Sequence, residues 1–265
     1  MKTILNLVVI FSLSAFTALA QETTSAEELA KKLANPVASL ISLPFQNNSD
    51  FGIGEEGGSR NTLNIQPVIP FKLNEKLNLI TRWVFPVITQ YSITAPGEKQ
   101  SGTADAVLSA FLSPAEPAGG VIYGVGPVFL APVASEELFA TEQFGAGPTA
   151  VALTQKNGWT VGALVNQIWK ISGDDDKPEV NQFYALPFVN YNWKSGAGIG
   201  ANSDFTYQWD NEVSTAFINI TASGITKFEK QTVQFSIGPR IQVSGPDNNR
   251  ADFGIRSAIV FLFPR

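Results

Sequence analysis

The segment Trp159–Ile171, WTVGALVNQIWKI, has an apolar face and a more polar face when every second residue is read. A period of two is typical of a β-strand. Trp159 and Trp169 share the apolar face, and at ~3.3 Å per residue and a tilt of about 45° they are separated by roughly 24 Å along the barrel axis. This matches the lipid-facing band of a transmembrane β-barrel with an aromatic residue at each rim. A long strand of a soluble β-sandwich fits this segment equally well.

The rest of the mature chain decides between these two interpretations. Similar alternation recurs in twelve segments, at residues 37–46, 60–72, 77–91, 103–112, 120–132, 143–156, 159–171, 181–193, 197–209, 216–228, 232–243 and 251–263. Short connections such as Asn157-Gly158 alternate with long polar ones, of which the first is placed at Asn47–Ser59. Outer-membrane barrels alternate short periplasmic turns with longer external loops. The sequence therefore predicts an all-β fold, a transmembrane antiparallel up-and-down β-barrel of about twelve strands.

The amino terminus predicts export. Residues 1–20 resemble a secretory signal peptide, with Lys2, an apolar stretch at Ile4–Phe16 and a small-residue cleavage site at Ala18–Ala20. An amino-terminal membrane anchor is the alternative. Ser25 and Glu28 form a capping box, so a short helix is expected within residues 21–36, in the periplasm or at the barrel mouth. The predicted organisation is a signal peptide at 1–20, this helical segment at 21–36 and an outer-membrane barrel at 37–265.

Composition narrows the chemistry. The chain has neither Cys nor His, which removes disulfides, thiolate chemistry, and the commonest general base and metal ligand. We therefore expect no enzymatic activity, no catalytic residues, no metal site and no cofactor. The formal net charge of −5 argues against nucleic acid as a partner. The expected partners are outer-membrane lipid and lipopolysaccharide, a small-molecule solute and the barrel-assembly machinery, with the protein acting as a monomer in the bacterial outer membrane.

Aromatic residues near strand ends predict the membrane interfaces, because tryptophan and tyrosine concentrate at the headgroup level of transmembrane barrels. The predicted membrane-interface girdle consists of Tyr91, Trp159, Trp169, Tyr191, Trp193, Tyr207 and Trp209.

Charged residues on the polar faces predict what the lumen contains. Asp204, Arg240 and Arg256 lie near the middle of their strands, and together with Arg82 they are the candidates for a constriction. Lys72, Asp105 and Lys170 are candidates for the lumen mouths. Pairing about Asp247 would place Gly238 opposite Arg256, with Arg240 diagonal to it. Two interpretations remain open for these charges: a structural network of ion pairs that fills a narrow barrel, or a constriction that favours anionic or polar solutes.

Prolines within predicted strands are unusual, since proline cannot donate a hydrogen bond to the ladder. They are Pro67, Pro70, Pro86, Pro127, Pro148, Pro187 and Pro239, and three of them follow a glycine, at Gly126, Gly147 and Gly238. We expect bulges or bends at these positions.

Repeated segments ending in or containing proline resemble an outer-membrane transporter family of the MetA-pathway of phenol degradation type, whose members are sometimes labelled transporter or neuromedin U. The segments are IQPVIPF at 65–71, FPVITQY at 85–91, GVGPVFLAP at 124–132, FGAGPTAVA at 144–152, ALPFVNYNW at 185–193 and SIGPRI at 236–241. The resemblance implies that small, often hydrophobic or aromatic compounds cross the outer membrane through such a barrel.

The sequence thus predicts an outer-membrane channel or transporter for passive passage of small solutes, with hydrophobic or aromatic compounds implied by the resemblance. The alternatives are a non-conducting structural or adhesive barrel that acts through its external loops, and a secreted soluble β protein.

Overall fold

The computed structural model describes residues 25–229 and 231–263, and the signal peptide predicted at 1–20 lies outside them. These residues contain one α-helix and fourteen strand segments, besides two single 3-10 turns at Glu137–Phe139 and Asp247–Asn249. The elements are α1 Ala26–Leu33, β1 Ile41–Ile53, β2 Gly58–Ile65, β3 Val68–Lys72, β4 Leu77–Tyr91, β5 Lys99–Thr103, β6 Ala106–Pro114, β7 Val121–Ala131, β8 Gln143–Lys156, β9 Trp159–Gly173, β10 Asn181–Asn192, β11 Gly198–Gln208, β12 Val213–Phe228, β13 Gln231–Ser244 and β14 Phe253–Phe263.

The fourteen segments form twelve wall strands. β2 and β3 are one strand interrupted at Gln66-Pro67, and β5 and β6 are another, interrupted at Ala104-Asp105. Every neighbouring pair is antiparallel, and β14 pairs with β1, from Ile41 opposite Phe263 to Phe51 opposite Phe253. This last pairing closes the sheet, so the predicted twelve-stranded antiparallel barrel is confirmed.

We name the two openings by the chain around them. The terminal mouth carries Ile41 and Phe263, the two ends of the barrel, and the tight connections at 73–76, 157–158 and 193–197. The loop mouth is the opposite opening, and it carries the longest connections, at 92–98, 132–142, 174–180 and 245–252.

The first wall strand differs from its prediction at 37–46, and the barrel begins at residue 41 rather than 37. β1 extends to Ile53, so the long loop expected at Asn47–Ser59 is a turn at 54–57. The prediction failed because Asn47 and Ser49 put polar groups on the outer face and hid the alternation. In the structure Ser49 Oγ accepts from Asn47 Nδ2 at 3.1 Å and from Asn61 Nδ2 at 2.9 Å, which satisfies these groups within the sheet.

The distribution of side chains is inverted relative to a soluble protein. Large apolar residues on the outer face are exposed, among them Val161, Ile237 and Phe235, while polar residues such as Asn219 and Thr160 are buried in the lumen. Soluble proteins rarely expose so continuous an apolar surface. An outer wall of this kind is the lipid-facing wall of a transmembrane barrel.

The glycine–proline pairs mark gaps in the hydrogen-bond ladder without the bulges expected there. Pairing between β12 and β13 stops at Asn219–Arg240 and resumes at Ala222–Ile237 in the same register, skipping Gly238-Pro239. A Cβ atom on Gly238 would lie 1.8 Å from the carbonyl oxygen of Ile220, and the corresponding distance at both Gly126 and Gly147 is 1.9 Å. The neighbouring backbone therefore takes the space of a side chain, and only glycine fits.

The chain before β1 enters the terminal mouth. Helix α1 begins at the predicted capping box, in which Ser25 Oγ accepts from the Glu28 backbone N–H at 3.1 Å. It packs against β10 and β12, and Gln155 Nε2 donates to the Lys31 carbonyl oxygen at 2.7 Å. Beyond it, Val37 is buried in a cluster of apolar lumen residues that also contains Ile80, Phe111, Val151, Leu153, Leu164 and Phe188. The segment 25–40 thus occupies the lumen at this end.

In the part of the chain that the structure describes, no helix is long and apolar enough to cross a membrane.

Candidate functional site

A cavity of about 380 Å³ lies within the lumen. Its lining is mostly amide, hydroxyl and charged side chains, with a few aliphatic residues and Phe217. The four predicted constriction residues, Arg82, Asp204, Arg240 and Arg256, all border it. The structure thus brings these four residues together on the lumen side of the sheet.

Asp204 is the centre of an ion-pair network on one side of this cavity. Its Oδ2 atom accepts from Arg240 Nη1 at 3.0 Å and from Arg256 Nη2 at 2.5 Å. Asn219 Nδ2 donates to the same oxygen at 3.1 Å, and the Tyr184 hydroxyl donates to Oδ1 at 3.2 Å. One carboxylate thus takes hydrogen bonds from two guanidinium groups, and such charge-assisted bonds are the strong ones.

Arg240 has a second acidic partner. Its Nε atom donates to Asp50 Oδ1 at 3.0 Å, and its guanidinium carbon lies 3.4 Å from the centroid of the Phe217 ring. Only 8% of the Arg240 side chain and 9% of the Asp50 side chain is exposed. The positive charge of Arg240 is therefore compensated by two carboxylates and the face of an aromatic ring.

Arg256 is held by amides as well as by Asp204. Its Nε atom donates to Asn48 Oδ1 at 2.8 Å and its Nη1 atom to Asn202 Oδ1 at 3.1 Å. Gly238 lies opposite Arg256, as the symmetric hairpin predicted. Asn48 is on β1 and Arg256 on β14, so this contact crosses the seam where the barrel closes. The geometry of these two arginines is that of the structural network.

Arg82 is placed differently. It projects from β4 into the cavity, and its Nη2 atom donates to Gln66 Oε1 at 2.7 Å. It takes part in none of the ion pairs formed among residues 25–229 and 231–263. The four predicted constriction residues thus divide into two groups. Asp204, Arg240 and Arg256 form ion pairs with one another, whereas Arg82 has an amide as its hydrogen-bond partner among the described residues.

Several network members were missed from the sequence. Asp50 and Asn48 fell within the loop wrongly expected at 47–59, although the alternation of Ser42, Gln46, Asn48 and Asp50 with Leu43, Phe45 and Phe51 marks a strand. Asn202 and Asn219 were not singled out, since polar lumen residues without charge give little sequence signal.

The three predicted mouth residues have local partners. At the terminal mouth Lys72 Nζ lies 2.8 Å from Glu75 Oε1, with both side chains well exposed. Asp105 is buried and holds the loop at 132–142, accepting from the backbone N–H of Ala134 at 3.1 Å and from that of Thr141 at 2.7 Å. The structure therefore gives Asp105 a loop-anchoring contact.

Lys170 lies at the loop mouth, where its ammonium group donates to the Asp174 carbonyl oxygen at 3.0 Å and to the Asp175 carboxylate. The hydrogen bond from Lys170 lowers the pKa of the Asp175 carboxyl from its usual value. Between this loop and the one at 132–142, the Glu142 carboxylate accepts a hydrogen bond of 2.7 Å from the Lys177 ammonium group and raises its pKa. These pairs organise the surface of the loop mouth.

The predicted girdle residues form two aromatic groups on the outer face. Trp159, Tyr191 and Trp193 lie near the terminal mouth, with ring centroids 5.0 Å and 5.3 Å apart. Near the loop mouth, Tyr207 and Trp209 are 4.9 Å apart, and Tyr91 and Trp169 are exposed. Their placement at opposite ends of the apolar wall fits interfacial residues, and their contact with lipid headgroups stays a prediction.

A second cavity, of about 190 Å³, lies between the segment 25–40 and the wall. Lys32 of helix α1 and Arg82 both border it, and Gln66, Arg82 and Leu186 border the central cavity as well. Arg82 therefore stands where the central cavity meets the space around the amino-terminal segment.

Comparison with known proteins gives the fold. No protein-family model matches the chain, and no curated protein matches its sequence. Among solved structures, it is similar to the COG4313 outer membrane channel from Pseudomonas putida F1, with a TM-score of 0.65 and 15% identity over 84% of this chain and 94% of that one.

Two further matches are more distant. The outer membrane phospholipase of Salmonella typhi has a TM-score of 0.45 and 14% identity, over 90% of this chain and 98% of that one. The CymD monoaromatic hydrocarbon channel has a TM-score of 0.40 and 9% identity, over 91% of each chain. With the apolar outer wall, the likeness to the Pseudomonas channel gives this protein the fold of a bacterial outer-membrane channel, and the outer membrane as its location.

Proposed function

We propose that the protein is a passive outer-membrane channel for small solutes. The observation that carries this proposal is the polar cavity of about 380 Å³ inside a closed barrel with an apolar outer wall. The amides and charges of the lining give a small solute a polar environment inside the apolar wall. Outer-membrane channels with this fold are known from the Pseudomonas structure.

The lining supports solutes with a hydrophobic or aromatic part, as the resemblance implied. Val84, Val107, Ile168, Leu186 and Phe217 contribute apolar surface among the polar groups. Ligand sites commonly combine apolar walls with a few polar groups that fix orientation, in volumes of about 300–1,000 Å³. The cavity therefore suits one small organic molecule at a time.

A non-conducting structural barrel is the second candidate, and the segment 25–40 favours it. Val37 is 4% exposed and its apolar neighbours fill the lumen toward the terminal mouth. If this segment never moves, the cavity is closed at that end and the protein acts through its loops. A catalytic role is not proposed, because the chain contains neither His nor Cys.

Single-channel recording in planar lipid bilayers tests the proposal. The refolded protein, confirmed as a barrel by heat-modifiable mobility on gels, should give discrete conductance steps. A correctly folded protein that gives no conductance at any voltage would exclude the channel and leave the structural barrel.

A further inference from the structure

We propose that Arg82 is an anion site on the solute pathway, and that it binds small organic carboxylates with an apolar or aromatic body. This rests on the proposed channel function and names its solute class. Three features of the molecule support the proposal: the charge balance of the lumen, the position of Arg82 between two cavities and the apolar side chains beside it.

Arg82 has no carboxylate in direct contact among the described residues. Among the described residues that line the central cavity, Asp204 is the one carboxylate, and it is already bound by Arg240 and Arg256. Asp50 is bound by Arg240. Around the second cavity the lining includes Lys32 and Arg82, and no acidic residue from the described ranges. The path past Arg82 thus has an excess of positive charge.

An arginine in this state can bind an anion. A guanidinium group has five N–H donors in a planar fork that matches a carboxylate. Arg82 donates one hydrogen bond, from Nη2, to the Gln66 side-chain oxygen. Removing a charge from bulk water without a counter-charge is costly. Asp50 and Asp204 on the wall strands supply carboxylates to Arg240 and Arg256. A carboxylate from the solute would supply the corresponding acceptor to Arg82.

Arg82 is bordered by apolar surface on the side of the loop mouth. Val84 follows Arg82 on the same lumen face of β4 and pairs with Val107, which also lines the cavity. On the neighbouring strand Ser109 lies opposite Arg82. A solute that enters from the loop mouth can then place its apolar body against the two valines while its carboxylate reaches Arg82.

The position of Arg82 also fits passage. It borders both the central cavity and the cavity around the segment 25–40, where Lys32 provides a second cation. Two separated positive groups allow an anion to move from one to the next, which conduction requires. We therefore expect an open channel that prefers anions over cations.

Titration calorimetry with sodium benzoate on the complete barrel in detergent tests the site apart from conduction. Arg82→Gln should weaken benzoate binding at least about tenfold, since hydrogen bonds to charged groups contribute about 1.5–3 kcal/mol. Arg82→Lys keeps the charge and should retain most of the affinity. Lys76→Gln removes one positive charge from an exposed turn and is the matched control. Benzyl alcohol has the same ring without the carboxylate. It should bind more weakly than benzoate, and Arg82→Gln should leave its affinity unchanged.

Bilayer recording separates the two proposals. A salt gradient should give a reversal potential of the anion-selective sign in the wild type and one shifted toward cation selectivity in Arg82→Gln. Equal benzoate affinity in the wild type and in folded Arg82→Gln would overturn the anion site whatever the channel does. Benzoate binding that depends on Arg82 in a barrel without conductance would overturn the channel and keep the site.

Discussion

The two halves of the lumen are filled by different means. Toward the terminal mouth, Val37 packs among apolar side chains such as Phe111 and Leu164. Val37 belongs to the segment 25–40, which is not one of the wall strands. Around the central cavity the space is instead bridged by ion pairs and amides centred on Asp204. The apolar half needs a separate segment to fill it, whereas the polar half is completed by the wall strands themselves.

This difference determines which half of the lumen can open without unfolding the wall. An apolar cluster is held by contact area, so it opens if the amino-terminal segment leaves and water enters. The ion-pair network ties β11, β12 and β13 to the β14–β1 seam, so breaking it acts on the wall. We infer that any movable part of the lumen is the segment 25–40, and that the network is fixed.

The largest effect is expected from Asp204→Ala. The substitution leaves Arg240 and Arg256 without their shared carboxylate, and removing one member of a buried ion pair typically costs about 3–5 kcal/mol. Urea unfolding from phospholipid vesicles, followed by tryptophan fluorescence, measures this loss as a lower free energy of unfolding.

Asp210→Ala is the control for that measurement. Asp210 is exposed beyond the end of β11, where it accepts from Asn181 Nδ2 at 2.9 Å. Its removal should change the free energy of unfolding by less than about 0.5 kcal/mol. If Asp204→Ala were as mild as Asp210→Ala, the polar half would not be fixed by its ion pairs and the comparison between the halves would fail.

The sequence predicted the wall better than the interior. Alternation gives the face of each residue, so Arg82, Asp204, Arg240 and Arg256 were all placed in the lumen. Alternation does not predict which lumen side chains bind each other. Residues far apart in the chain meet only when the barrel closes, as Asn48 and Arg256 do across the seam between β1 and β14. The segment 25–40 was harder still: Val37 was expected in a strand, and only packing against the finished barrel shows that it lies inside.

An intermediate effect is expected from Val37→Asp in the apolar half. A carboxylate cannot be satisfied among aliphatic side chains, so the segment 25–40 should leave the terminal mouth while the barrel stays folded. Loss of the buried valine costs about 2–3 kcal/mol, and single-channel conductance should rise. Bilayer recording and the same urea titration measure both effects.

Val133→Asp is the matched control for the apolar half. It introduces the same charge at a valine that is 53% exposed in the loop after β7. Conductance should stay near the wild-type value in this variant. Unchanged conductance in Val37→Asp as well would mean that the segment does not limit passage.

The smallest effect is expected from Gly238→Ala, in the wall strand β13 beside the polar half of the lumen. The new Cβ atom would lie 1.8 Å from the Ile220 carbonyl oxygen, so the two strands must move apart, at a cost of about 1–3 kcal/mol. Gly224→Ala is the control, because a Cβ atom there meets nothing within 4 Å; its free energy of unfolding should be unchanged or slightly higher.

Double variants connect Gly238→Ala to the comparison between the two halves. Gly238 lies opposite Arg256, so moving it disturbs the contacts that Asp204→Ala also removes. The combined cost of these two should be less than the sum of the single costs, whereas Gly238→Ala and Val37→Asp should add within about 0.5 kcal/mol. Coupling of equal size in both pairs would show that the two halves of the lumen act as one unit.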